Sequence, residues 1–454
     1  MTSFDTAAPR VGVPAQRLAD NFLHVVLYLC ILSSFFVFVQ PAPYEYIAVV
    51  LGGAAILARV RFHRVIIMLL ALLVIRDACG ALGLLGIIDF GWLRTEGSPE
   101  VLLEDYQWGD AARMLATSWY LGLTAVLFAC IFSDDVMRRL ATLRASYVMA
   151  GVVASLLGAA GYFTVFFSLI PGLDIFSLEN RAVAGFKDPN VLGCFLIPPL
   201  TWVIEGFITD RIRLLNLLAS IVMFVGLVLA FSRAAWLSFV FSTALMMFLL
   251  FLTQNNRRTR YRLFFLVVIG AIVAVAVLMA VSSIDVVGQM LADRTRLQTY
   301  DLGSDNRARI FLWQDSLREI FNHPLGMGPW GFAHYTGWDS HNSYLGTFLN
   351  NGWIGGSAYL LLIGLTLYLG FRTLFVRTPW QTFLIATYTT FVGLALEAFV
   401  IDTDHWRHFY LLVGIIWGLT AATIDYTARR RREQYLPHDR NSYVRTFAAS
   451  RLNR

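Results

Sequence analysis

Residues 214–252 read LLNLLASIVMFVGLVLAFSRAAWLSFVFSTALMMFLLFL, and Arg233 is the only charged side chain among them. As a single helix this stretch would be about 58 Å long, nearly twice the roughly 30 Å of a bilayer's hydrocarbon core. Its polar break is Ser232-Arg233. The stretch therefore predicts two membrane-crossing helices that meet in a tight turn at Arg233. Working outward, apolar segments of similar length recur at 22–39, 45–60, 64–88, 111–132, 146–170 and 190–208, and again at 263–284, 343–370, 380–400 and 408–424. With 212–231 and 233–253 they make about twelve spans. Of the 454 residues 57% are apolar and only 15% charged, where a soluble domain carries about 25%. That balance excludes a soluble enzyme, a disordered chain and a nucleic-acid-binding protein. The expectation is an all-α integral membrane protein.

The run 22–39 is followed by Gln40-Pro41-Ala42-Pro43 and a second apolar run, so it reads as an uncleaved first span in preference to a signal peptide. Cys30, Cys79, Cys130 and Cys194 all fall inside apolar runs, as small buried hydrophobes do. Basic residues alternate between connections: Arg59, Arg61 and Arg64; Arg138, Arg139 and Arg144; Arg211 and Arg213; Arg257 to Arg262; Arg372 and Arg377; and Arg429 to Arg432. The positive-inside rule makes these cytoplasmic. The connection from Asp89 to Asp110, with Glu96, Glu100, Glu104 and Asp105 against Arg94 alone, falls on the other side. Both termini are then inside: an N-terminal segment 1–21, a polytopic domain 22–426 and a basic tail 427–454.

One long extracytoplasmic loop, 285–342, is the only sizeable polar region. Within it Asn306 to Phe321 sets Ile310, Phe311, Trp313, Leu317, Ile320 and Phe321 along one stripe, and Pro324 follows. This predicts an amphipathic helix on the membrane surface or against the bundle.

Three polar groups fall on the outer face: Arg181 to Asn190 with Lys187 and Asp188, Ser232-Arg233, and Asp339-Ser340-His341-Asn342. An arginine in a tight turn at the membrane boundary either snorkels or meets something anionic. Two or three cations beside a histidine suit a phosphate-rich, lipid-anchored substrate, because guanidinium matches phosphate oxygens and imidazole can accept a hydroxyl proton.

His341-Asn342, nine residues and Gly352-Trp353-Ile354-Gly355 resembles the histidine motif of the O-antigen ligase and Wzy-type polymerase family. His323-Pro324-Leu325-Gly326-Met327-Gly328-Pro329, Arg309 with Trp313, Phe186-Lys187-Asp188-Pro189-Asn190 and Ser232-Arg233-Ala234-Ala235 resemble further family elements in the same order. The resemblance covers roughly residues 181–359. It implies a bacterial inner-membrane glycosyltransferase that moves or polymerises glycan from an undecaprenyl-pyrophosphate carrier onto a glycan or lipid A core acceptor at the periplasmic face. No cofactor or metal is expected, and other polysaccharide-assembly membrane proteins are possible partners. By motif, Arg181 and Arg233 hold the pyrophosphate and His341 is the base. Lys187, Asn190, Asn342, Asp402 and Arg309, with Arg307 competing for the last position, complete the expected substrate-binding set. Lys187-Asp188 departs from the family's more usual uncharged residue and Asn.

Two rival readings rest on residues of this chain. Asp402-Thr403-Asp404-His405 with Glu104-Asp105 could bind a divalent ion in a metal-dependent glycosyltransferase. A transporter or flippase of lipid-linked glycan would need charge within the spans, where the candidates are Arg76 with Asp77, Glu205 and Glu397.

Overall fold

The structure, a computed structural model, describes residues 14–39, 41–90, 108–168, 170–210, 212–254, 256–295 and 309–435. The acidic residues 91–107, Arg307, Arg211 and the tail beyond residue 435 lie outside the described residues. Among those described, nine helices are long and apolar enough to cross a membrane, and two shorter apolar helices accompany them. The protein is an all-α, multi-pass membrane protein.

The helices are α1 (Pro14–Leu32), α2 (Pro43–Leu57), α3 (Arg64–Phe90), α4 (Trp108–Ser133), α5 (Val136–Phe167), α6 (Pro189–Thr209), α7 (Leu214–Leu229) and α8 (Arg233–Thr253). They continue with α9 (Arg257–Ser282), α10 (Asp285–Thr295), α11 (Arg309–Asn322), α12 (Gly331–Thr336), α13 (Ser343–Leu374), α14 (Gln381–Glu397) and α15 (Arg407–Tyr435). Each expected span overlaps a helix, but α2, α7 and α14 are shorter than the nine helices that are long and apolar enough to cross a membrane among the described residues. The fifth begins at Val136, ten residues before the predicted start at 146, because Asp135 reverses the chain at φ 41 directly after α4. The core forms where α4 packs along α15, α13 along α3, and α14 along α8.

The long apolar run breaks where its sequence predicts. α7 stops at Leu229, Phe231 takes a left-handed φ of 47, and Ser232 Oγ accepts the Ala235 N–H to cap α8. α6 starts by the same rule, with the Asp188 carboxylate accepting the Asn190 N–H at 2.7 Å and Pro189 in the first turn. Asp188 thus has a local role that its departure from the family pattern left open.

The tenth span is not the single helix expected over 343–370. Gly352, at φ 65 and ψ −170, breaks α13 into a short arm, 343–351, and a long arm, 353–374. The two arms fold alongside each other, with Asn351 against Gly355, Phe348 against Gly356, and the Tyr344 and Tyr359 rings 6.0 Å apart. The start of the short arm is therefore about 10 Å below the Gly352 turn, a distance set by the seven helical residues from 352 to 359. A Cβ on Gly352 would lie 2.5 Å from both Leu325 C and Pro324 O. Gly352→Ala combines that overlap with a backbone conformation open essentially to glycine alone, which costs roughly 1–3 kcal/mol by strain. A lower melting temperature in detergent is expected, and unaltered melting would show that the turn can relax.

The amphipathic helix α11 starts at Arg309, and the face it turns into the protein differs from the apolar stripe. Leu312, Ser316, Glu319 and Ile320 are buried, while Phe311, Leu317 and Phe321 remain exposed. The Trp353 indole N–H donates to Ile320 O at 2.8 Å and ties α11 to the long arm of α13.

Candidate active site

Arg181 is delivered by a two-residue hairpin. Ser177–Leu178 pairs antiparallel with Arg181–Ala182, and the connecting Glu179 and Asn180 both have positive φ, 49 and 57, as a hairpin turn of matching twist requires. Behind this turn the Arg181 side chain is buried. Its Nε donates to Ala230 O at 3.0 Å and its Nη2 to Asn190 Oδ1 at 2.9 Å. One guanidinium thus joins the hairpin, the start of α6 and the α7–α8 turn. Arg233 occupies the first position of α8 and is partly exposed, and Lys187 is exposed. A cation at a helix N-terminus faces the positive end of the helix dipole, an unfavourable place unless an anion lies between them.

His341 stands just before α13, at a left-handed φ of 46. Asn342, expected to bind substrate, is buried, and its Oδ1 accepts the N–H groups of Tyr344 at 3.0 Å and Leu345 at 3.2 Å. It caps the helix and so holds the residue before it. Ser343 fastens the same turn to the end of α14: its N–H donates to Ala398 O at 2.9 Å, and its Oγ accepts the Thr403 N–H at 2.6 Å. Against this anchored backbone the imidazole Nδ1 lies 3.5 Å from Asp402 Oδ2, with His341 46% exposed.

The two halves meet at the end of α14. Glu397 lies 2.8 Å from Cys194 Sγ on α6, and the next residue, Ala398, supplies the carbonyl that holds Ser343. The arginine half and the histidine half therefore border one region at one end of the bundle. Arg309 begins α11.

Residues that sequence reasoning had set aside support the His341 side. Arg76 and Asp77 form a buried pair at 2.6 Å, but Arg76 also donates to the Tyr410 hydroxyl at 2.7 Å, and that hydroxyl donates to Asp404 O at 2.6 Å. The chain of contacts fixes the loop that carries Asp402. Arg407 adds a second anchor, pairing with Glu45 and lying over the Tyr44 ring. Only the Asp402-Thr403-Asp404-His405 cluster signalled this loop in the sequence. Its carboxylates face imidazoles, Asp402 toward His341 and Asp404 toward His405 at 3.4 Å. Among the described residues no group of three or more His, Cys, Asp or Glu is arranged to hold a metal ion. The other charges inside the bundle are also partnered, Glu205 with Arg144 and Glu397 with the Cys194 thiol.

Residues 218–360 match the family model for O-antigen ligase. This chain carries an O-antigen ligase domain. No curated protein sequence matches it. The match supports an enzyme of the O-antigen ligase and polymerase type, and the matched stretch includes Arg233, Arg309, His341 and the Gly352 turn. Arg181, Lys187, Asn190 and Asp402 lie outside the matched stretch, yet Arg181, which also holds Asn190, reaches it through Ala230 O, and Asp402 reaches it through His341.

Asp339, two residues before His341, has its carboxyl pushed up to about 6, first by burial and then by the Asp402 carboxylate, against the Ser340 N–H and His341. A carboxyl raised in the folded state binds its proton more tightly there than in the unfolded chain. Its contribution to stability is complete below the ordinary value near 3.8 and is lost as pH rises through about 6. Asp339→Asn is therefore expected to melt like the parent protein at pH 4 and above it at pH 8. An equal offset at both pH values would refute the assignment.

Proposed function

We propose that the protein transfers glycan from an undecaprenyl-pyrophosphate carrier onto an acceptor hydroxyl, without a metal ion and with inversion at the anomeric carbon. The observation that carries this reading is that the Arg181–Asn190 pair, bonded to the turn that leads into Arg233, and the His341–Asp402 pair both lie on segments tied to the end of α14, in a chain with an O-antigen ligase domain. The acceptor oxygen attacks the anomeric carbon, and the bond from that carbon to the phosphate oxygen breaks. The electron pair leaves with the pyrophosphate, and the hydroxyl proton passes to His341. A sugar hydroxyl is too weak an acid to ionise first, so the base acts as the new bond forms. The leaving pyrophosphate needs no proton. It needs its developing charge met by fixed donors, which is what buried or turn-bound arginines supply.

The alternating basic connections support a twelve-span arrangement with both termini cytoplasmic, which puts this site at the periplasmic face of the bacterial inner membrane. The short arm of α13 and the exposed apolar residues of α11 suit a site sunk below that interface, with α11 lying along it. The exposure of Lys187, three residues before Asn190, supports its meeting the glycan or phosphate.

The test is reconstitution of the purified protein with an undecaprenyl-pyrophosphate glycan, offering a second lipid-linked glycan or a lipid A core as acceptor, with and without EDTA. Elongated glycan on the carrier identifies a polymerase, and glycan on the lipid A core a ligase. Transfer is expected to survive EDTA. No product with either acceptor, or strict dependence on a divalent ion, would overturn the mechanism.

A further inference from the structure

Among the described residues, side-chain hydrogen bonds join α6 to α14 at three levels. The Trp202 indole N–H donates to Thr387 Oγ1 at 3.0 Å, the Thr201 and Thr390 hydroxyls lie 2.9 Å apart, and the Cys194 thiol donates to Glu397 Oε1 at 2.8 Å. The first two levels are close together, and Trp202 stacks on Phe383 beside them with centroids 5.0 Å apart. The third is seven residues further along both helices, about 10 Å by helical rise. The seam is thus pinned at its far end by aromatic and hydroxyl contacts, and its end toward the site carries the Glu397–Cys194 bond.

Each partner of that bond leads directly into one half of the site. Cys194 lies one turn of α6 after Asn190, whose Oδ1 accepts from Arg181 Nη2. Glu397 is the last residue of α14, and its carbonyl accepts the N–H groups of Val400 at 2.9 Å and Ile401 at 3.2 Å, which shapes the turn that runs into Asp402. The same turn holds Ser343, two residues after His341: Ala398 O accepts the Ser343 N–H at 2.9 Å, and Ile401 O accepts its hydroxyl at 3.1 Å.

Glu397 and Cys194 are both buried, so a carboxyl has been taken out of solvent to meet a thiol, which is a weak donor. A hydrocarbon side chain of similar volume would fill the space without that desolvation cost. What the carboxyl adds is direction. Apolar packing is non-directional and leaves the last turn of α14 free to shift along α6, whereas a hydrogen bond sets both a distance and an angle. We propose that Glu397 is a positioning residue that sets the separation of the Arg181 and His341 halves through Cys194, a role that rests on the transfer reading above.

The experiment compares the reconstituted parent protein with Glu397→Gln, Glu397→Leu, Cys194→Ser and Cys194→Ala. Glutamine keeps an acceptor and serine keeps a donor in place, so both variants are expected to transfer at close to the parent rate. Leucine and alanine break the bond, and each is expected to lose on the order of 10²-fold in kcat with the donor KM unchanged, as a displacement of about 1 Å at a reacting centre does. Glu397→Leu is expected to melt no lower than the parent, since it removes a buried carboxyl; stability and turnover then move apart, which a merely structural role would not produce. Independently of turnover, spin labels introduced by Glu179→Cys and His405→Cys, both at exposed positions on the two halves, are expected to give a narrow distance distribution in the parent and in Glu397→Gln, and a broadened or shifted one in Glu397→Leu. Loss of transfer in Glu397→Gln equal to that in Glu397→Leu overturns the positioning role in favour of a carboxylate needed for the chemistry. Parent-like kcat and distances in Glu397→Leu overturn it in favour of packing alone. If Glu397→Leu does not fold, Cys194→Ala against Cys194→Ser decides by the same two readouts. If the parent protein transfers no glycan, the transfer reading fails, and the spin-label distances alone decide whether Glu397 holds the two halves together.

Discussion

His341→Ala is expected to reduce glycan transfer by about two to four orders of magnitude, the usual contribution of a positioned general base, while the protein stays folded. The prediction separates catalysis from structure because the scaffold around His341 does not depend on its imidazole. Asn342 caps α13, Ser343 ties the turn to Ala398 and Thr403, and Gly352 turns the short arm back; none of these contacts uses the His341 ring. The ring is half-exposed, with Asp402 at 3.5 Å, so truncation removes no packed core. Loss of the side chain also relieves the left-handed backbone only slightly, since alanine is little better suited to φ 46 than histidine. Initial rates with the reconstituted donor and acceptor, read beside melting curves in detergent, check the claim. Near-normal transfer by a well-folded His341→Ala protein would falsify the base assignment.

Arg181→Lys and Arg233→Lys are each expected to lose about 10²-fold in transfer, close to the loss in the alanine variants, as for removal of one fixed donor from a site of charge development. The two sites fail for different reasons. At Arg181 the guanidinium donates in two directions at once, to Ala230 O and to Asn190 Oδ1, and its planar fork keeps both bonds while presenting a fixed edge. An ammonium on a flexible stem replaces at most part of that geometry. At Arg233 the cation begins α8; lysine keeps the charge and loses the paired donors that match a pyrophosphate. The alanine and lysine variants are compared by donor KM and kcat. Full rescue by lysine at position 233 would leave Arg233 as a topological anchor only.

Much of this could be read from residue type and spacing. The apolar runs had to become helices because hydrocarbon offers backbone groups no partner, so length and hydropathy alone located each helix. The break at Ser232-Arg233 was readable because a 39-residue apolar run exceeds any bilayer, and the hydroxyl that caps α8 stands at that break. Arg181, Arg233 and His341 stood out in the sequence because polar residues in the connections contrast with an apolar chain.

Other features depend on contacts between segments far apart in sequence. Hydropathy does not register Gly352's positive φ, so 343–370 read as one span; the turn exists because Pro324 to Gly326 pack where any side chain would sit. The inward face of α11 escaped the periodicity argument because a helix at an interface has two apolar surroundings, protein and lipid, and the pattern does not distinguish them. Arg76 with Asp77 read as charge within a span, and only the packing of α3 on α15 set the pair beneath the Asp404 loop through Tyr410. By itself, then, the sequence determined the all-α, multi-pass membrane class and the positions of the apolar helices, because burial of backbone and apolar surface is a local demand. Only the tertiary structure decided the turn at Gly352, the Asp402 carboxylate beside His341 and the Arg181 bonds to Ala230 and Asn190, because each is a contact between segments that nothing local constrains.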